Sequence, residues 1–176
     1  MKVGSLVVLM VIFFSFSCRD HKGGKNGDLA MHSYEQLLKE NFHSFIEHAW
    51  NKANMDSLRN VLDENYTKHL NGIQIVDNLN EMEANMHVYF QGFPDGKVAI
   101  ENMKISNNNL FVQWVYRGTN TGIFGEFPPT GKKVMVGGHT TIQFNSAGKM
   151  IKEDVYFNEL ELLQQLGYTL NPPVLE

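Results

Sequence analysis

The spacing of the apolar residues changes at a turn, Phe93–Gly96, near the middle of the chain. Before this turn the apolar residues recur at intervals of three and four, which is the period of a helix that buries one face. After the turn they alternate with polar residues, which is the period of a β-strand. Helices followed by strands indicate an α+β domain, because the α/β class alternates helices and strands along the chain.

Three helices are predicted before the turn. The first spans about residues 33–51 and begins with Ser33 and Gln36 placed as a capping box. A second, shorter helix follows Asp56 as its N-cap, and a third follows Asn80. Their periodic apolar residues are predicted to face the core: Tyr34, Leu37, Leu38, Phe42, Phe45, Ile46, Ala49, Trp50, Leu58, Val61, Leu62, Met82, Met86, Tyr89 and Phe90.

Four strands and a short helix are predicted after the turn. Val98 and Ile100 alternate with polar residues, as do Met103 and Ile105, and the break between the two pairs indicates a β-bulge. The other predicted elements are strands at about 110–117, 132–145 and 149–157 and a helix at about 159–166. We expect N-terminal helices packed in the concave side of a curved, mostly antiparallel sheet, with an internal pocket.

The composition fits one globular domain without an excess of positive charge. The 176 residues are 43% apolar and 19% charged, and 15 basic residues stand against 19 acidic ones, giving a formal net charge of −4. This length is typical of a single domain. Nucleic acid is not expected as a partner, because a phosphate backbone is bound by a basic surface.

The N-terminus has the order of a secretory signal. A positive start at Met1–Lys2 precedes the apolar run Leu6–Phe14, and the small residues Ser15 and Ser17 precede Cys18. This order resembles a bacterial lipobox, which predicts cleavage before Cys18 and lipid on its thiol. The protein would then be a membrane-anchored lipoprotein of the cell envelope, facing the periplasm or the cell surface. The alternative is an ordinary signal peptide with an incidental cysteine.

Three segments follow from this interpretation: a signal peptide at 1–17, a lipid-anchored flexible tether at 18–31 and a folded domain at 32–176. The stretch Arg19–Asp28 is polar and contains three glycines, with nothing apolar to bury. The apolar run of nine residues is too short for a spanning helix, which needs about 20.

Neither a phosphate-binding loop nor a metal site is expected. Gly125–Gly131 encloses five residues where the phosphate loop has four, and Lys133 stands where that loop needs Ser or Thr. His43 and His48 do not have the spacing of two zinc ligands on a helix, and the histidines form no recognisable cluster. We therefore expect no metal and no cofactor.

Strand alternation brings polar side chains together on the last two strands. His139 and Thr141 share one face of their strand, while Asp154 and Tyr156 share the corresponding face of the next. These residues could line a polar pocket, where a desolvated carboxylate would have a raised pKa and could transfer protons. The alternative is that they face solvent from a half-exposed sheet.

Four ordered motifs resemble those of SnoaL-like polyketide (ester) cyclases over about residues 32–168. The motifs are Phe93–Asp95, Arg117–Gly122, Phe127–Lys133 and Leu163–Gly167. The resemblance implies the cystatin-like α+β cone of the nuclear transport factor 2 superfamily, with a pocket inside the cone and often a dimeric assembly. It also implies an intramolecular aldol cyclisation that uses an acidic residue and no metal or cofactor.

Some positions depart from the family pattern. Asn120 stands where the family has histidine, and an asparagine cannot relay a proton near neutrality. The strand containing Glu153–Asp154 lacks the family's tryptophan, and the acidic positions that follow fall on Tyr156 and Asn158. Asp154 is then the aspartate that remains on the expected pocket side, and His69 matches a histidine common in the family.

We expect an envelope lipoprotein that binds a small, partly apolar molecule, with acid/base chemistry of the aldol-cyclase or isomerase type as a further role. The alternative is a non-catalytic ligand-binding or protein-interaction module, and a homodimer is compatible with either. Asp154 is the predicted acid/base, with His139 and His69 as donors or alternative bases. The predicted substrate-binding residues are Trp114, Arg117, Asn120, Tyr156 and Asn158.

Overall fold

The computed structural model describes residues 24–172, so the predicted signal peptide and Cys18 lie outside the described residues. Within that range one mixed sheet has the strand order β2-β1-β6-β5-β4-β3. The strands are β1 (Leu62–Leu70), β2 (Ile73–Val76), β3 (Lys97–Ser106), β4 (Asn109–Thr119), β5 (Lys133–Phe144) and β6 (Met150–Phe157). β1 and β6 are parallel and the other neighbours are antiparallel, which confirms the α+β class.

The helices lie before, between and after the strands. They are α1 (Gly24–Ser44), which continues into a π-helical turn (Phe45–Trp50), then a 3₁₀ turn (Met55–Ser57), α2 (Leu58–Val61), α3 (Leu79–Gly92) and α4 (Glu159–Leu166). Asn78 caps α3 by accepting a hydrogen bond of 3.0 Å from the backbone N–H of Glu81. Asn158 caps α4 in the same way, at 3.1 Å from the N–H of Glu161. None of the helices within residues 24–172 is both long and apolar enough to cross a membrane.

Several predicted boundaries differ from those observed. α1 begins at Gly24, so residues 24–31 of the predicted tether are helical, and Ser33 lies inside the helix rather than at its cap. The cap of α3 is Asn78 instead of Asn80, and Asp56 lies within the 3₁₀ turn. The predicted bulge in β3 is confirmed, because the register with β4 shifts between Ile100 and Asn102.

Two strands, β1 and β2, were not predicted. β1 reads Leu-Asp-Glu-Asn-Tyr-Thr-Lys-His-Leu, in which polar residues occupy most of the inward and outward positions. Alternation of apolar residues is therefore weak in β1. The strand forms because it pairs with β6 and β2, and its local β-propensity contributes little.

One face of the sheet, called the inner face here, packs against the helices. Its buried apolar residues on β4 and β5 are Leu110, Val112, Tyr116, Val134, Val136, Ile142 and Phe144. Helices α1 and α3 contribute Phe42, Phe45, Met82 and Met86, which are almost completely buried. The opposite, outer face carries Phe111, Met135 and Tyr156, which are 49%, 55% and 53% exposed.

Candidate functional site

A cavity lies between the inner face of the sheet and the helices that cover it. About 80 Å³ of it is open to the centre of a water molecule. One water needs about 10–15 Å³ on that measure, so the cavity has room for several waters or a small ligand. Its apolar lining residues are Phe42, Ile46, Trp50, Leu70, Ile75, Tyr89, Val98, Trp114, Tyr116, Val136, Val155, Phe157 and Leu162. Its polar lining residues are Lys68, Asn85, Thr140 and Glu153.

Strand alternation decides which side chains reach this cavity. On β1, Tyr66 and Lys68 are two residues apart and both point inward. On β6, Glu153 shares the inner face with Val155, while Asp154 points to the outer face. The parallel register places Lys68 directly beside Glu153. Two strands that are distant in sequence thus bring a phenol, an ammonium and a carboxylate to one point.

Tyr66, Lys68 and Glu153 form a buried polar cluster at the cavity. The Tyr66 hydroxyl donates a hydrogen bond of 2.5 Å to Oε2 of Glu153. The Nζ of Lys68 lies 3.7 Å from the same oxygen, and the side chains of Lys68 and Glu153 are 8% and 6% exposed. Within residues 24–172, Oε1 of Glu153 accepts no hydrogen bond, so a ligand in the cavity can approach this oxygen.

The ammonium of Lys68 has further neighbours in the cavity wall. Its Nζ lies 3.4 Å from Oδ1 of Asn85 and 5.2 Å from the centre of a Trp50 ring. The ring face attracts the positive charge. An ammonium carries three N–H donors, and among the described residues Asn85 is the hydrogen-bond acceptor that it meets. Lys68 therefore has donors left for an oxygen atom of a ligand.

Burial fixes the protonation state of Tyr66. Desolvation and the nearby Glu153 carboxylate raise the pKa of Tyr66 well above its ordinary value, because both disfavour a phenolate. Tyr66 therefore keeps its proton at neutral pH, and its hydroxyl donates a hydrogen bond to Glu153. The hydrogen bond orients the carboxylate toward the cavity.

Trp114 on β4 also forms part of the cavity wall and is held in a fixed orientation. Its indole N–H donates a hydrogen bond of 2.8 Å to Oγ1 of Thr140. Gly138 on the neighbouring strand leaves the space that the indole ring fills. Burial and the nearby Glu159 raise the pKa of Tyr89, another wall residue, to about 12. The aromatic wall is thus neutral at physiological pH.

The residues predicted to be catalytic lie on the outer face. Oδ1 of Asp154 is 3.4 Å from Nδ1 of His69, and Oδ2 is 3.0 Å from Nζ of Lys152. His139 is exposed on β5 and pairs with Tyr156 across the strands. The shared face of His139 and Asp154 was predicted correctly, but the helices cover the other, apolar face, and the cavity lies there. Asp154, His139 and His69 are therefore not among its lining residues, and their catalytic role stays a prediction.

Of the predicted substrate-binding residues, Trp114 lines the cavity and the other four do not. Arg117 is exposed at a shallow groove on the edge of the domain. Tyr156 is exposed on the outer face, and Asn158 is occupied in capping α4. None of them faces the enclosed space, and their role in binding a ligand stays a prediction.

Asn120 stabilises the loop between β4 and β5 through side-chain hydrogen bonds. It does not line the cavity. Its Nδ2 donates to the carbonyl oxygens of Gly92 and Gly122, at 3.1 and 3.0 Å. Its Oδ1 accepts from the backbone N–H and the hydroxyl of Thr130, at 2.8 and 3.0 Å. The side chain is thus fully used, and this loop places Phe124 against Tyr89 of the cavity wall.

Sequence reasoning missed Lys68, Tyr66 and Asn85 and did not assign Glu153 a role in the pocket. One signal was present, because Glu153 shares a strand face with Val155 and a charged residue there must enter the core. No comparable signal marked Lys68 or Tyr66, since the strand that carries them was not predicted.

The arrangement suits proton transfer and the binding of a carbonyl group. Glu153 supplies a proton acceptor, while Lys68 and Tyr66 supply donors in a mostly apolar enclosure where charges act strongly. Among residues 24–172, no three or more His, Cys, Asp or Glu side chains are grouped so that they could hold a metal ion.

This architecture defines an α+β cone of the nuclear transport factor 2 class, with one face of the sheet wrapped around a ligand cavity. A family model described as SnoaL-like polyketide cyclase matches residues 40–166, so the chain belongs to that family. The resemblance seen in the sequence motifs is confirmed. Membership supports a small-molecule ligand for the cavity. No curated protein matches the chain in sequence.

Solved structures show the same fold at low sequence identity. A protein from Jannaschia sp. CCS1, named as a SnoaL-like polyketide cyclase, has a TM-score of 0.70 and 23% identity, covering 78% of this chain and 94% of its own. AclR from Streptomyces galilaeus, named as a hydroxylase, has a TM-score of 0.65 and 18% identity, with coverages of 74% and 95%. IdmH from Streptomyces antibioticus, named as a polyketide cyclase, has a TM-score of 0.64 and 18% identity, with coverages of 74% and 99%.

Proposed function

We propose that this protein is a lipid-anchored envelope protein that binds a small, largely apolar carbonyl compound and transfers a proton to or from it. The observation that carries the proposal is the buried Glu153 carboxylate, which faces an apolar cavity beside Lys68 and Tyr66. Membership in the SnoaL-like polyketide cyclase family supports it. An aldol ring closure, the reaction of such cyclases, begins with removal of a proton next to a carbonyl group.

Glu153 is the proposed general base. Tyr66 holds Oε2, so Oε1 is the oxygen available to take a proton from the carbon next to the carbonyl group. Lys68 lies on the same side and would stabilise the negative charge that develops on the carbonyl oxygen. The apolar walls exclude water, so these groups act on the ligand without competition from solvent dipoles.

Proton exchange at the methyl group of acetophenone in D₂O tests this role, with proton NMR as the readout. The full-length protein should accelerate the exchange, and Glu153→Gln should slow it by about 10²- to 10⁴-fold, the usual contribution of general acid/base catalysis. Asp154→Asn is the matched control, because this neighbouring carboxylate points to the outer face. A loss of exchange in Asp154→Asn, with Glu153→Gln unaffected, would contradict the proposal.

A non-catalytic binding module is the second candidate. Glu153 and Lys68 carry opposite charges that offset each other, which also suits simple binding of a neutral ligand. Quenching of the fluorescence of Trp50 and Trp114 by acetophenone, without any acceleration of exchange, would favour this candidate.

The envelope location rests on the N-terminal sequence. Cys18 follows an apolar run and small residues, the order expected of a lipid attachment site. Metabolic labelling with a fatty acid should mark the native protein, and Cys18→Ser should lose the label and leave the membrane fraction. Retention of the label in Cys18→Ser would contradict the anchor.

A homodimer through the outer face is the assembly we propose. Phe111, Met135 and Tyr156 expose apolar surface there, and a two-fold axis would place this surface against itself. Sedimentation analysis should show a dimer that Met135→Lys weakens. A monomer at all accessible concentrations would contradict this assembly.

A further inference from the structure

The side chain of Lys68 carries an amine, which can act as a nucleophile. The proton-transfer role of Glu153 does not use this property. Its Nζ lies 3.7 Å from Oε2 of Glu153, whereas a direct charge-assisted hydrogen bond would be about 2.7–2.9 Å long. The Tyr66 hydroxyl occupies that oxygen at 2.5 Å. Lys68 is therefore held beside a proton acceptor without being locked to it, and its amine faces the cavity.

We propose that Lys68 forms a covalent iminium, or Schiff base, with an aldehyde or ketone that enters the cavity. This inference rests on the proposed function in one respect, since the cavity must admit a carbonyl compound. Lysine is the side chain that makes this linkage with carbonyl substrates. The side chain of Lys68 is 8% exposed among mostly apolar walls, so a carbonyl compound in the cavity would meet its amine with little competing water.

The reaction balances with the residues present. Nζ of Lys68 passes one proton to Glu153, and the neutral amine then adds to the carbonyl carbon. A proton moves from nitrogen to the former carbonyl oxygen, which gives a carbinolamine. Glu153 returns its proton to this hydroxyl, water leaves, and a protonated C=N bond forms. The sum converts an ammonium and a carbonyl compound into an iminium and water, without an oxidant or a reductant.

The neighbours of Lys68 fit these stages. The nitrogen is positively charged in both the ammonium and the iminium, and the Trp50 ring at 5.2 Å stabilises that charge. Oδ1 of Asn85, 3.4 Å from Nζ, can accept the N–H of the iminium. Tyr66 orients Glu153, so the carboxylate that shuttles the proton stays beside the nitrogen.

Reductive trapping tests the linkage. The full-length protein is incubated with limiting benzaldehyde and sodium cyanoborohydride, and the benzylated lysines are located by peptide mass mapping. Lys68 should be labelled at least about tenfold more than Lys52, because the site holds aldehyde and amine together. Lys52 is the control, since it is exposed and belongs neither to the cavity lining nor to the outer face of the sheet. Lys68→Arg should lose the preferential label, whereas Lys52→Arg should keep it.

Parallel measurements separate this inference from the proposed function. Tryptophan fluorescence quenching reports benzaldehyde binding in the cavity. Binding with no preferential label on Lys68 would overturn the Schiff base and leave the proton-transfer proposal standing, whereas absence of binding would overturn both. Glu153→Gln should keep the binding and slow the labelling by about 100-fold. Peptide mass mapping of the native protein shows directly whether Lys68 carries the benzyl label, so this test does not depend on whether a variant folds.

Discussion

Replacing Asn120 by alanine should destabilise the protein by about 2–4 kcal/mol. The side chain is 1% exposed and makes four hydrogen bonds, two to carbonyl oxygens and two from Thr130. Each hydrogen bond contributes about 0.5–1.5 kcal/mol, which bounds the total at about 2–6 kcal/mol. The groups of Thr130 lie near solvent and can bind water instead, but the carbonyl oxygen of buried Gly92 cannot, so the lower half of that range applies.

Urea unfolding and thermal melting measure this loss. For a domain of this size each 1 kcal/mol lowers the melting temperature by about 2–4 °C, so Asn120→Ala should melt about 4–16 °C lower. The urea midpoint should fall with an unchanged denaturant slope, because the surface exposed on unfolding is nearly the same. Asn102→Ala is the control, since Asn102 is exposed on β3 and makes no side-chain hydrogen bond within residues 24–172.

A loss below about 0.5 kcal/mol, the value typical of surface substitutions, would refute this reasoning. If Asn120→Ala weakened acetophenone binding while stability stayed constant, the sequence-based prediction of a ligand-binding Asn120 would be supported instead. Stability loss with intact binding would confirm the structural role.

Three further substitutions address the cavity and its surroundings. Gly138→Ala should cost about 1–3 kcal/mol, because the added methyl group would collide with the Trp114 ring, and an unchanged melting temperature would contradict this packing. Tyr66→Phe should cost about 1.5–3 kcal/mol in urea unfolding, the value of a hydrogen bond to a charged group, here Glu153. The free energy of unfolding should fall as pH rises above about 10, because the unfolded chain releases tyrosine protons there while folded Tyr89 keeps its proton up to a pKa of about 12. Tyr89→Phe should make this decline shallower, and an identical pH dependence would count against the raised pKa.

The second half of the fold was predictable because its strands alternate cleanly. β4 and β5 each bury one apolar face, and the apolar residues of β3 alternate with exposed ones, so the period of two is visible in the sequence. The helix Glu159–Leu166 also has the predicted bounds, since Asn158 caps its start and Gly167, with a φ of 103°, ends it. β1 escaped prediction because Tyr66 and Lys68 are polar at the inward positions that usually identify a strand.

The site could be predicted only in part, since strand parity does not reveal which face is covered. Asp154 and His139 do share a face, as the sequence indicated, and Asp154 contacts His69. The cavity is on the other face because the apolar residues of α1 and α3 cover the aliphatic side of the sheet. Placement of the helices is a tertiary property, so strand parity could not show that the cavity lies on the face opposite Asp154 and His139.

The buried cluster of Lys68, Glu153 and Tyr66 is better explained by action on a ligand than by stability. Removing an ammonium and a carboxylate from water costs several kcal/mol per ion, and an attraction across 3.7 Å without a direct hydrogen bond recovers only part of it. Apolar side chains at the same positions would fill the wall without that cost. Fixed charges in a water-poor cavity, however, act on a carbonyl group without having to reorganise.

Asp154 lacks this advantage, because it already pairs with Lys152 beside solvent, where its charge is screened. Of two adjacent carboxylates on one strand, burial therefore favours Glu153 for the proposed chemistry.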